Sequence, residues 1–431
     1  MTIILISLFL VIAFFSIFTN RDLFSPAKYY LLSFLIFFGS IAGYNQYSQA
    51  VRLLSLLVLM IGALAAIFES ARLPVVKHFS STAEPTKELS VLRRIWLFTT
   101  IPILAQAYLI VIAGGWTLYL EGYGNRVISL RGYGPAVILM MSISALNLAY
   151  LSISLLRPRS VTWWLCFGLH LGINICLMAL TGSRSGILMI FATQLILFNY
   201  LVRRIKLQTV VGVCVLLIGL GLLLGILRES KNWLDKIESL DIAIIFDNLD
   251  RVALGYGTQP LQLILDSDSM PLAYGTTFFS VVTNPIPREW WPGKFDSGGV
   301  FITKAYADDA WEGASNITPT FLGEWVINFG WGLGIAFYII SSILITHMLF
   351  RCYRRMLKGV RGIKTVKVAL DLVFYIYTLL AVVGLMVGEV TNVVVYLVLA
   401  QLIPIMALRM KIGWRTSPLT RTVNAQFVQA T

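Results

Sequence analysis

Apolar runs about as long as a bilayer is thick recur along this chain, and they leave it few possible folds. The runs 53–68, 95–113, 135–156, 163–180, 187–202 and 368–387 contain one acid, Asp371, and no Lys or Arg. About 20 apolar residues in a helix cross the hydrocarbon core, where the backbone must satisfy its own hydrogen bonds. The runs are unbroken rather than alternating, which excludes a porin-type barrel. The chain therefore reads as an all-α polytopic membrane protein. Spans at 3–18, 29–44, 53–68, 95–113, 135–156, 163–180, 187–202, 209–227, 324–350, 368–387 and 393–408 give about 11 transmembrane helices.

The net charge of +13 would suggest a nucleic-acid partner if it were spread evenly. It is not. With these spans, 23 of the 34 Lys and Arg fall in loops on one side, against four acids, Asp22, Glu69, Glu84 and Glu88. That asymmetry is the positive-inside signature, and basic loops of this kind also suit anionic lipid, so no nucleic-acid role is expected. It places the N-terminus outside and the C-terminus in the cytoplasm. The first run lacks a basic start and a small-residue cleavage site, so it reads as a retained helix. Cys166, Cys176 and Cys214 lie in apolar runs and Cys352 in a basic loop, so no outside disulfide or Cys-type zinc site is expected.

The expected organisation is helices one to eight with short loops over 1–227, one large outside loop over 228–323, three further helices over 324–408, and a cytoplasmic tail over 409–431. In the loop, 228–265 has amphipathic helical spacing. The stretch 266–323 is rich in Pro, Gly, Asn and aromatics and reads as irregular but ordered. Irregular loops of that length are usually functional.

The outside loops hold the candidate chemistry. Thr181-Gly-Ser-Arg-Ser-Gly186 puts Arg184 where positive charge is uncommon, between two apolar runs. Ser183 or Ser185 can cap the following helix, whose positive dipole end then points to the same place as the guanidinium, making an anion site. Asn284-Pro-Ile-Pro-Arg-Glu-Trp-Trp-Pro-Gly-Lys294 presents Arg288 and Lys294 from a proline-stiffened frame. Trp290 and Trp291 offer flat faces for sugar stacking or an interfacial belt. Arg251 is a further outside cation. Glu324, in Gly323-Glu-Trp-Val-Ile-Asn-Phe-Gly330, is a candidate base or arginine-orienting acid, with Asn328 beside it. Gly330 and Gly334 form a small-residue face suited to packing. Asp266-Ser-Asp268 reads as a turn, and Asp308-Asp309 is a weak metal candidate. His78 is cytoplasmic, His170 and His347 lie inside spans, and Asp371 and Glu389 are scattered membrane or boundary acids.

In these residues the chain resembles the Wzy-type O-antigen and exopolysaccharide repeat-unit polymerases. The likeness rests on the Ser-Arg-Ser-Gly turn at 183–186, the Ile-Pro-Arg…Trp-Pro-Gly-Lys run at 286–294, Gly-Glu-Trp…Asn-Phe-Gly at 323–330, and the large late outside loop. It implies a C-type, inverting glycosyltransferase of the bacterial inner membrane. Such an enzyme moves a growing glycan from undecaprenyl pyrophosphate to the next lipid-linked repeat unit, working beside a flippase and a chain-length regulator. Arginines can stabilise a departing pyrophosphate, so neither cofactor nor metal is expected. Arg184 and Arg288 are then the pyrophosphate contacts, Lys294 and Arg251 assist, and Glu324 is the base or orienting acid. An O-antigen ligase fits less well because the outside loops contain no His. A lipid-glycan transporter would need more charge along the spans.

Overall fold

A computed structural model of the chain describes residues 2–19, 22–42, 47–70, 85–121, 132–181, 184–213, 216, 219, 256–286, 290–307, 316–361 and 365–410. Among these residues every regular element is helical. Seven helices are long and apolar enough to cross a membrane: Gln49–Glu69, Glu88–Ile112, Gly134–Ser154, Val161–Leu180, Thr320–Val360, Val366–Val387 and Val390–Arg409. Three shorter apolar helices, Ile6–Ser16, Pro26–Ile41 and Gly186–Leu201, overlap further expected spans. Most of the expected eighth span, 209–227, lies outside the described residues, as do 228–255 and the tail beyond 410.

In chain order the elements of the first part are α1 (Thr2–Thr19), α2 (Pro26–Phe38), α3 (Gln49–Ser70), α4 (Pro85–Ile112), α5 (Trp116–Glu121), α6 (Gly134–Met141), α7 (Ile143–Ser154), α8 (Val161–Leu180) and α9 (Arg184–Leu201). A layer at the end of the bundle opposite the basic loops, labelled the outer layer, contributes α10 (Gln259–Leu265), α11 (Thr276–Thr283) and α12 (Gly298–Tyr306). Then come α13 (Thr320–Arg361), α14 (Val366–Val387) and α15 (Val390–Val393). The last runs on as a π-helix, Val394–Leu402, and ends in α16 (Ile403–Arg409). Helices α7 and α14 form the centre. Ile143, Ala149, Tyr150 and Ile153 on one, and Leu372, Val373, Tyr375 and Ile376 on the other, are fully buried. Around them α4, α8 and most of α13 keep apolar faces exposed, including Leu97, Leu104, Leu165, Leu169 and Leu344. In water such faces would aggregate. In lipid they are the correct surface.

The acids of the basic side explain themselves structurally. Asp22 accepts hydrogen bonds from the hydroxyls of Tyr200 at 2.5 Å and Tyr353 at 2.8 Å, tying the α1–α2 connection to α9 and α13. Glu69 accepts from Ala27 N at 2.8 Å in the first turn of α2. Glu88 is buried between Arg157 at 2.9 Å and Arg159 at 2.8 Å. Buried charge is tolerable when paired and hydrogen-bonded, so these acids anchor the helices at the end that carries the basic loops; Glu84 lies outside the described residues. Asp371 likewise pairs with Arg355 at 3.4 Å and with Arg409.

Inside the bundle, His170 joins α8 to α4 and α7. Gln194 donates to Asn147 Oδ1, the Asn147 amide lies 3.0 Å from His170 Nδ1, and His170 Nε2 lies 2.9 Å from the Thr99 hydroxyl. Thr99 in turn donates to Ile95 O. Each donor in this chain meets an acceptor only if the imidazole is neutral with its proton on Nε2. This is a packing tie, and it gives the histidine a full set of partners. His347 packs edge-on to Phe68.

Candidate functional site at the outer end of the bundle

The site is built around a break in α13. Gly330 takes φ 75°, ψ 174°, a left-handed conformation that favours glycine. The arm 320–329 therefore turns back over the helix that follows. Phe321 reaches Tyr338 at a ring separation of 5.6 Å, and Phe329 reaches Phe337 at 5.2 Å. A Cβ on Gly334 would stand 2.7 Å from Trp325 O and 2.8 Å from Val326 Cα. The small-residue face read in the sequence thus serves the chain's own fold-back. Because the obstacle is backbone, Gly334→Ala should cost about 1–3 kcal/mol of stability, the usual overpacking penalty, measurable as a lower midpoint of thermal unfolding in detergent.

The arm carries Glu324 and Asn328, both buried. Asn328 Nδ2 donates to Thr277 Oγ1 at 2.6 Å and Glu324 O at 2.7 Å, while its Oδ1 accepts from Gly275 N at 2.8 Å. Glu324 Oε1 accepts from the Thr277 hydroxyl at 3.1 Å, and Oε2 from Val390 N at 2.6 Å. Val390 opens α15, so Glu324 supplies the N-terminal cap of a helix 66 residues away. Thr391, the next residue, meets Ser280 Oγ at 2.5 Å.

A second carboxylate mirrors the first. Glu389, in the turn between α14 and α15, accepts from Gly299 N and from the Ser297 hydroxyl, capping α12. Burial pushes its carboxyl above the usual range. The N-terminus of α12 is wedged between the two acids: a Cβ on Gly298 would lie 3.0 Å from Glu324 Oε1, and one on Gly299 would lie 3.1 Å from Glu389 Oε2. A side chain at either position would press on a carboxylate that caps a helix. Sequence reading took Glu389 as a scattered acid, because its partner lies 90 residues back and nothing local announces it.

The expectation of an irregular stretch over 266–323 is corrected by α11 and α12. Thr276-Thr-Phe-Phe-Ser-Val-Val-Thr283 has poor intrinsic helix propensity, yet tertiary bonds through Thr277, Ser280 and Asn328 hold it helical. Asp266 follows α10 and accepts from Gln262 at 2.7 Å, consistent with a turn.

The structure brings Glu324 and Asn328 together and leaves Trp290 and Trp291 exposed. Lys294 donates to the carbonyls of Asn284 at 3.1 Å and Ile286 at 2.7 Å, closing the end of α11. Its ammonium is engaged with its own chain. Arg184 is the first residue of α9. The side chains of Arg184 and Ser185, and residues Ser183, Arg251, Arg288, Asp308 and Asp309, lie outside the described set. Two residues past Arg184, Gly186 lines a cleft of about 190 Å³, shared with Met141, Met189, Tyr377, Tyr396 and Gln401. The wall is mostly apolar. Gln401 lies on the π-helix, donates from Nε2 to Met141 O at 2.8 Å, and keeps a buried Oε1 with no partner among the described residues.

With both oxygens of Glu324 occupied by donors, the carboxylate holds elements together in this conformation. Its hydrogen-bond partners among the described residues are Thr277 and Val390, not an arginine. No family model matches the chain, and no curated protein or solved structure matches it.

Proposed function

We propose that the protein polymerises lipid-linked oligosaccharide repeat units, transferring the growing glycan from undecaprenyl pyrophosphate to the next unit at the outer face of a bacterial inner membrane. The observation that carries this reading is the joint placement of charge and cleft on α9. Its first residue is Arg184, and its first turn lines an apolar cleft. An amphiphilic phosphate needs both: a helix N-terminus with a guanidinium for the anion, and a hydrocarbon-compatible wall below it. In this reading Arg184 and Arg288 stabilise the departing pyrophosphate, and Arg251 assists. Lys294 acts through the frame it closes, and Glu324 and Asn328 hold the outer layer over the bundle. A flippase and a chain-length regulator are the expected neighbours.

The test is reconstitution. Purified protein in liposomes, supplied with undecaprenyl-pyrophosphate-linked repeat units, should convert them to a ladder of longer products. A chelator should leave the ladder intact, since arginines carry the leaving-group charge in this scheme. Repeat units recovered unextended from folded, correctly inserted protein would sink the proposal. A chelator-sensitive ladder restored by magnesium would move the leaving-group site toward Asp308 and Asp309.

A further inference from the structure

Helix α11 is turned inside out. Thr277, Ser280 and Thr283 are 0%, 1% and 4% exposed, whereas Phe279 and Val282 are 63% and 72% exposed. A helix lying against a protein in water does the reverse, hiding its apolar stripe. Tyr274, Trp290, Trp291 and Phe295 extend the exposed aromatic surface on either side, with Phe279 and Phe295 at a ring separation of 6.2 Å.

We propose that the segment around α11 is seated in the outer leaflet of the bilayer, with Phe279 and Val282 among the lipid chains and Trp290 and Trp291 at the headgroup boundary. Continuity argues for lipid as the occupant. The membrane-crossing part of α13 exposes Leu333, Phe337 and Ile340. Phe337 packs against Trp325 at a ring separation of 5.5 Å, and Trp325 against Phe278 of α11 at 4.6 Å. One apolar surface thus runs without interruption from a spanning helix onto α11. Among the described residues, the nearby charges are engaged with the protein: Lys294 bonds the carbonyls at the end of α11, and Lys304 pairs with Asp296 at 2.8 Å. Tryptophans at the rim match the interfacial preference of that side chain. The hydroxyls of Thr277 and Ser280 are then sealed from lipid by their own helix, bonded instead to Asn328, Glu324 and Thr391. The outer layer lies in the membrane surface, and a substrate reaching it could arrive sideways from the leaflet.

Full-length protein in lipid nanodiscs tests this, with its four cysteines changed to serine. Spin labels go on Phe279→Cys and Val282→Cys, with Leu333→Cys as the lipid reference and Asp268→Cys as the aqueous one. Oxygen should relax the labels at 279 and 282 as strongly as at 333, and a water-soluble nickel chelate several-fold less than at 268. Nickel access equal to that at 268 overturns the proposal. So does shielding from both reagents accompanied by dipolar coupling between copies, which would mean a second chain covers the face. Should the cysteine-free chain fail to fold, native tryptophan emission decides. The difference between wild type and Trp290→Phe/Trp291→Phe should be quenched by lipids brominated near the headgroup; quenching by aqueous iodide alone rejects the idea.

Discussion

Arg184→Ala and Arg288→Ala should each leave mostly single repeat units while the protein still inserts and accumulates. A preorganised donor aimed at developing charge is typically worth on the order of 10²–10³ in rate. Chain growth multiplies that loss at every addition, so the ladder collapses rather than shortens slightly. Lysine at either position should rescue only partly, because a point charge does not reproduce the two-pronged grip of a guanidinium on phosphate oxygens. Gel analysis of lipid-linked glycans, with membrane protein quantified in parallel, reads the outcome. Normal polymer from both alanine variants would make these arginines interfacial anchors and remove the anion site from the scheme.

Glu324→Ala should act differently, through the fold. It strips the acceptor from the buried Thr277 hydroxyl and from the part-buried Val390 N. Leaving a buried donor unmade costs about 1–3 kcal/mol each, so the outer layer should loosen and thermal stability in detergent should fall markedly. Glu324→Gln keeps one acceptor oxygen and turns an NH₂ toward one of the two donors, so its loss should be smaller. If Gln retains most stability yet abolishes polymer, the carboxylate has a chemical duty beyond holding α15. Stability and polymer falling in step across both variants would confine it to positioning.

Much of this architecture was legible because membrane helices announce themselves by length and lack of charge. The runs at 95–113, 163–180 and 368–387 needed no tertiary information, since lipid leaves them no other conformation. The break at Gly330 was not legible: Asn-Phe-Gly-Trp-Gly sits inside a continuous apolar stretch, and only the close approach of Val326 to Gly334 shows that the chain doubles back. Nor was α11, whose threonines and valines argue against a helix until Asn328 and Thr391 are beside them. Glu324 was marked as important from its place at a span boundary. Its partner Val390 could not be guessed, because a backbone N–H carries no sequence signature. Glu389 was passed over for the same reason.

The two capping carboxylates also impose an order on synthesis. Residues 256–307 leave the ribosome well before Glu324 and longer still before Glu389, yet the cap of α12 is Glu389 and the helix that Glu324 caps begins at Val390. Until the last hairpin is threaded, Asn328 already holds α11, but α12 has an open end and Glu324 has no helix to cap. A nascent chain halted after residue 387 would therefore leave the start of α12 uncapped and more open to protease than in the finished protein. Completion of the last hairpin is what closes it, so maturation of the outer face and full insertion become a single late event.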